Sequence, residues 1–120
     1  MSANDDKIDE ATAITWTTAY RGRVPAGSVK AFLIPVADLL GAASEVMNQG
    51  GQPMVRAYLG YDASKNEDKL VIVGTTQDTS SPGPTVYNDM LPSTNPNNSI
   101  WDFTDPCPPR CDEANSPLNG

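Results

Sequence analysis

The sequence predicts a single α+β domain in which two helices pack on a small antiparallel β-hairpin, followed by a long irregular, proline-rich C-terminal segment. Three observations lead there: apolar residues recur twice at helical spacing before residue 50, two short strand-like runs lie between 54 and 75, and the last third is crowded with Pro, Asn, Ser, Thr, Asp and Gly. A chain of 120 residues lies in the size range of one domain, because two cores would each be too small to stand alone. The expected division is a core over 1–78 and an extension over 79–120 that packs on the core or on a neighbouring subunit.

The first helix is expected over 6–22. Ile8, Ala11 or Thr12, Thr15, Trp16 and Ala19 share one helical face, and Asp9 and Glu10 sit near the start, where the helix dipole favours anions. Arg21 and Arg23 near the far end suit the same dipole, and Gly22 with Pro25 marks the stop. A connector follows, then a short helical turn over 29–33. The second helix is expected over 35–48, with Val36, Leu39, Leu40, Ala43 and Met47 on one face, Pro35 in its first turn and Gly50-Gly51 ending it.

Strands are expected over 54–61 and 69–75. Val55-Arg56-Ala57-Tyr58-Leu59 alternates in polarity, and Leu70-Val71-Ile72-Val73 is rich in β-branched residues. The polar connection over 62–68 is short enough for a hairpin. Its Asp62, Ser64, Asn66 and Asp68 alternate like the start of a calcium loop, but Glu67 stands where such a loop needs glycine and Val73 where it needs a bidentate glutamate, so a solvated turn is the better reading. Within the extension, Ile100-Trp101-Asp102-Phe103 is the one apolar quartet, a short strand or an anchor for the tail.

Eight Lys and Arg against fifteen Asp and Glu give a net charge of −7, which repels phosphate backbones and anionic headgroups. Nucleic acid is therefore not an expected partner. The most apolar stretch, over 31–43, is broken by Pro35 and Asp38 and falls short of the roughly 20 residues a bilayer crossing needs, so no membrane insertion is expected. The N-terminus has neither a basic start nor an apolar run, which makes a cytoplasmic location the default, with signal-independent export left open.

The chain contains no histidine, which removes Ser-His-Asp and Cys-His catalysis and histidine-based metal sites. No glycine-rich phosphate loop occurs, and the carboxylate pairs Asp9 with Glu10 and Glu67 with Asp68 sit in polar, solvated segments. The expectation is a non-enzyme with no catalytic residues and no cofactor.

Both cysteines lie in Asp105-Pro106-Cys107-Pro108-Pro109-Arg110-Cys111-Asp112. In an extended polyproline conformation the two would be roughly 12 Å apart, beyond the reach of a disulfide. A type I turn centred on Pro109-Arg110 would bring them together. A disulfide, two free thiols and joint ligation of a metal with Asp105 and Asp112 all remain open. The reactive Cys-x-x-Cys spacing of redox catalysts is absent.

Trp16 and Tyr20 on the first helix and Tyr58 and Tyr61 on the first strand are candidates for core packing or for a subunit contact. Ile100, Trp101 and Phe103 are contact candidates in the tail. Two functional expectations follow. The first is a non-enzymatic structural or interaction protein that associates with copies of itself or another protein, through a sheet edge and the tail. The second is a small binding or metal-dependent accessory module built on the Cys107/Cys111 turn.

The run Trp16-Thr17-Thr18-Ala19-Tyr20-Arg21, then Val29-Lys30-Ala31, Arg56-Ala57-Tyr58-Leu59-Gly60, Leu70-Val71-Ile72-Val73-Gly74 and finally Cys107-Pro108-Pro109-Arg110-Cys111 with Ser116-Pro117-Leu118 spans most of the chain. In this it resembles a family of small bacterial proteins with no established activity. The resemblance implies a self-contained protein and carries no functional residue across.

Overall fold

The computed structural model of the chain describes residues 6–80, 82–103, 105–111 and 116–118. Two helices and antiparallel strands make it an α+β protein: α1 (Glu10–Arg21), β1 (Ala31–Leu33), α2 (Val36–Ser44), β2 (Val55–Asp62), β3 (Glu67–Asp78), β4 (Val86–Asp89), β5 (Ile100–Phe103) and β6 (Asp105–Cys107). No described helix is long and apolar enough to cross a membrane. The chain forms two compact units, Met1–Leu33 together with Asp105–Gly120, and Ile34–Thr104.

The discontinuous unit holds α1, β1 and β6. Helix α1 starts at Glu10 instead of residue 6, because the Asp9 carboxylate accepts from the Thr12 amide at 2.7 Å and so caps the first turn. That bond holds the Asp9 carboxyl below its usual value. The expected packing face is rotated: Trp16 is 61% exposed and Thr15 and Ala19 are exposed, whereas Ala13, Ile14, Thr17 and Arg21 form the less exposed side. Ile14, the large aliphatic side chain inside the helix, sets that orientation, and no residue of α1 is fully buried. The helical turn expected over 29–33 is replaced by β1. Five residues cannot repay the cost of nucleating a helix, and here β6 supplies a ladder: Ala31 pairs with Cys107, Phe32 with Pro106 and Leu33 with Asp105, extended by the Lys30 amide donating to the Cys107 carbonyl at 2.7 Å.

In the continuous unit β3 is the shared strand. It pairs antiparallel with β2 from Val55↔Gly74 to Asp62↔Glu67, with β5 from Leu70↔Phe103 to Val73↔Ile100, and with β4 from Thr75↔Asp89 to Asp78↔Val86. Since residues 70–73 have partners in both β2 and β5, those two strands flank β3 on opposite edges. The expected hairpin over 54–61 and 69–75 is thus present, and its turn over 62–68 closes as a plain loop: the Asp62 carboxylate accepts from the Ser64 amide at 3.0 Å and hydroxyl at 2.6 Å, and Asn66 takes a positive φ of 52°. The run after residue 79, expected to be irregular, contributes β4, β5 and β6. Val86-Tyr87 and the quartet 100–103 have the β-branched and aromatic residues that suit a pleated surface, and ladder partners outweigh the flanking prolines.

Helix α2 lies over this sheet, with its face turned opposite to expectation. Ala42 and Val46 are buried and Gly41 is half-buried, whereas Val36, Leu39, Leu40 and Met47 are 49–67% exposed. The reason is steric. The core pairs Ala42 with Ile72 and seats Trp101, Leu70 and Ile34 around them, and a Cβ on Gly41 would lie 2.5 Å from the Trp101 ring. Only a small-residue stripe lets the helix come that close, so the bulky stripe faces outward. Pro35 occupies the N-cap, not the first turn, with extended backbone (ψ 132°). The helix ends at Ser44, short of 48, and the loop after it is tied to β3: the Gln49 amide donates to the Thr75 carbonyl at 2.8 Å, the Thr75 hydroxyl to the Met54 carbonyl at 2.6 Å and the Gln77 amide to the Gly50 carbonyl at 2.6 Å.

Candidate functional site

Three large apolar side chains of the nine-residue α2, Val36, Leu39 and Leu40, are exposed, as is Met47 in the turn that follows it. Monomeric proteins rarely leave contiguous apolar patches of this kind uncovered. On the same unit, the outer edge of β2 has no strand partner among the described residues. That edge is unusual in its residues. Natural edge strands are blunted by lysine, proline, bulges or inward charges, yet residues 55–62 include neither Lys nor Pro, and Leu59 is 84% exposed.

The two charges on β2 are engaged. The Arg56 guanidinium donates to an Asp89 oxygen at 2.5 Å and to the Tyr87 carbonyl at 3.1 Å, and the Tyr58 hydroxyl donates to the other Asp89 oxygen. The Tyr58 bond, followed by the arginine, holds the Asp89 carboxyl below its usual value of 3.8. Asp89 in turn raises both the Tyr58 phenol and the Arg56 guanidinium. This cluster was not anticipated from sequence, because Asp89 lies 31 residues beyond Tyr58 and only the β3–β4 register brings it there. Chemically it ties β4 to β2 and removes a cation from the edge.

A pH dependence follows. The folded carboxyl of Asp89 titrates below its unfolded value, so the stabilisation it provides is fully present above about pH 4 and is lost as pH falls through the folded value. Asp9, Asp62 and Asp78 are shifted in the same direction by their own local hydrogen bonds. Asp89→Asn should therefore make unfolding stability less steep between about pH 2 and 4 without abolishing the slope, as read from urea midpoints across that range. An unchanged slope would mean that Asp89 ionisation is not coupled to folding.

The residues predicted from sequence as site candidates are placed as follows. Trp16 and Tyr20 are exposed on α1, and Tyr58 is exposed on β2. Ile100 is exposed on β5, whereas Trp101 belongs to the core cluster. The Phe103 side chain and Asp112 lie outside the described residues. Cys107 and Cys111 are joined by a disulfide with their Cα atoms 4.7 Å apart. The turn between them is not the expected type I: the Arg110 amide donates to the Pro106 carbonyl at 2.8 Å and the Cys111 amide to the Pro109 carbonyl at 3.0 Å, and the Cys107-Pro108 and Pro108-Pro109 bonds are cis. Asp105 faces the Arg110 guanidinium at 3.8 Å. Among the described residues no group of three or more Cys, Asp and Glu side chains gathers where a metal ion could be held. Comparison with protein-family models, with curated proteins and with solved structures finds no match.

Proposed function

We propose that this is a non-enzymatic interaction protein that associates with copies of itself. The observation that carries the reading is the outward apolar stripe of α2 and the turn after it: Val36, Leu39, Leu40 and Met47 are exposed, and none of them belongs to the core cluster of the described residues. A second copy of the same stripe is its natural cover, since two short helices meeting across a two-fold axis bury the same patch twice. The β2 edge offers a second contact of the same kind, an eight-residue strand with exposed Leu59 that can extend an antiparallel sheet.

Of the two places expected for the tail, its own core or a neighbouring subunit, the quartet 100–103 takes the first. It covers an edge of β3 within the same chain and contributes Trp101 to the core, so removing residues 100–120 would unfold the sheet and could not isolate assembly. The disulfide favours association over the metal-dependent alternative, because in that form neither sulfur is a thiolate.

Leu39→Glu combined with Leu40→Glu should reduce the native particle to a monomer, measured by sedimentation or native mass, with the unfolding free energy of the monomer from urea titration unchanged within about 0.5 kcal/mol, as for other surface changes. Leu59→Lys separates the second contact: loss of assembly in that variant alone would assign the interface to the β2 edge. A wild-type chain that remains monomeric at millimolar concentration would end the self-association reading.

A further inference from the structure

The discontinuous unit closes a long loop with a short ladder. Strands β1 and β6 pair Ala31 with Cys107, Phe32 with Pro106 and Leu33 with Asp105, and the Lys30 amide adds a bond to the Cys107 carbonyl at 2.7 Å. All of Ile34–Thr104 lies between them in the sequence, so bringing the two strands together costs loop-closure entropy. A two-stranded ribbon is marginal by itself and gains little against that cost, so a modest local constraint decides whether the strands stay paired. That constraint is a covalent one. Cys107, the last residue of β6, is joined through its sulfur to Cys111, and within the turn so closed the Arg110 amide donates to the Pro106 carbonyl at 2.8 Å. Both cysteines of the chain lie outside the continuous unit, whose ladders are those of β3 with β2, β4 and β5.

We propose that the Cys107–Cys111 disulfide is a redox switch for the discontinuous unit: reduction by a small dithiol parts β6 from β1 and leaves the continuous unit folded. Cys107 is 2% exposed and Cys111 half-buried, so a thiolate of the dithiol meets the Cys111 sulfur. A bond forms between those two sulfurs, the Cys107–Cys111 bond breaks, and the Cys107 sulfur leaves as a thiolate that takes up a proton. The second thiolate of the reductant then attacks its own partner sulfur in the mixed disulfide, and the Cys111 sulfur leaves and takes up the other proton. The protein gains two electrons and two protons, and the dithiol becomes a cyclic disulfide. Opening the ring over 107–111 returns conformational freedom to the parted state, which shifts the balance toward it by about thirtyfold. The parted β1 then presents Ala31-Phe32-Leu33 as an apolar strand without its β6 partner, a surface that the oxidised form covers.

The test is amide exchange on the full chain before and after millimolar dithiothreitol, with the redox state read by mass. The Lys30 amide reports the ladder and the Arg110 amide reports the turn. Both should exchange about thirtyfold faster in the reduced chain, the amides over 55–62 and 70–73 should not change, and oxidised glutathione should restore the slow rates. Cys107→Ser combined with Cys111→Ser should exchange like the reduced chain and ignore dithiothreitol; the wild-type comparison stands even where that variant does not fold. The Leu39→Glu, Leu40→Glu variant should respond as wild type does, because its changes lie in the other unit, so the result stands apart from the test of self-association. The proposal is overturned if dithiothreitol leaves the disulfide intact in the folded chain, or if Arg110 speeds up while Lys30 does not, which would mean a loosened turn under a closed ladder. It is equally overturned if the loss of protection spreads to 55–62 and 70–73, or if the double serine variant still responds to the reductant.

Discussion

Replacing Trp101 with alanine should destabilise the continuous unit by about 3–5 kcal/mol, the range for truncating a large aromatic in a packed core, and should release β5 from β3. The indole sits against Gly41, with three of its ring atoms within 3.1 Å of where a Cβ would be, and it joins Ala42, Ile72, Leu70 and Ile34 in one cluster. Among the described residues no other aromatic side chain belongs to that cluster. The ring nitrogen is buried without a hydrogen-bond partner among the described residues, which is a cost the protein already bears. Trp101→Phe removes that cost along with part of the ring and should lose much less than the alanine variant. Gly41→Ala alone should cost about 1–3 kcal/mol through overpacking, and less when combined with Trp101→Phe. Urea unfolding followed by circular dichroism would show this non-additivity; strictly additive effects would mean that Gly41 and Trp101 do not share a packing constraint.

Gly74→Ala sets two effects against each other. In a strand interior, alanine should gain about 0.5–1 kcal/mol over glycine by restricting the unfolded chain. Here the added Cβ would lie 2.8 Å from Val46 Cγ1 and 3.3 Å from Met90 Sδ. Methionine can move aside, but the valine is stiff at χ1 and buried to 4% exposure. Overpacking of about 1–3 kcal/mol should therefore win, for a net loss near 1–2 kcal/mol. Val46→Ala in the same chain should recover part of that loss by opening room for the new methyl. A stabilised Gly74→Ala variant would show that the segment after α2 can lift from β3 at little cost.

The part of the fold legible in the sequence is the part governed by local pattern. Val55–Asp62 announces itself by alternating polarity and Glu67–Asp78 by its β-branched run, on either side of a polar turn, and α1 by its acidic start and glycine end. What local pattern could not convey is which way a helix faces. In α2 and the turn after it the bulky residues Val36, Leu39, Leu40 and Met47 have the stronger hydrophobic signal, but the indole of Trp101, far along the chain, requires the small stripe of Gly41 and Ala42 inside. Short strands such as 31–33 and 105–107 were equally hidden, since three residues have no periodicity to read and acquire structure only from each other. The candidate surfaces follow the same division. Leu59 and Tyr58 were visible as edge-strand residues, whereas the Asp89 cluster depends on register and on residues brought together from distant positions.

The pairing of β1 with β6 has a consequence for how the chain reaches its native state. Ala31 emerges early in synthesis and finds Cys107 only after the whole of Ile34–Thr104 has been made. The strand ladders of the continuous unit use no described residue outside that span, so they can form before β1 and β6 meet. The other unit, whose two segments flank that span in the sequence, must wait, because β1 and β6 close the longest loop between paired strands among the described residues. Chains interrupted near residue 104 would keep the strand partners of β3 but leave β1 without β6, and a quality-control protease would meet residues 6–33 as an accessible stretch of polypeptide.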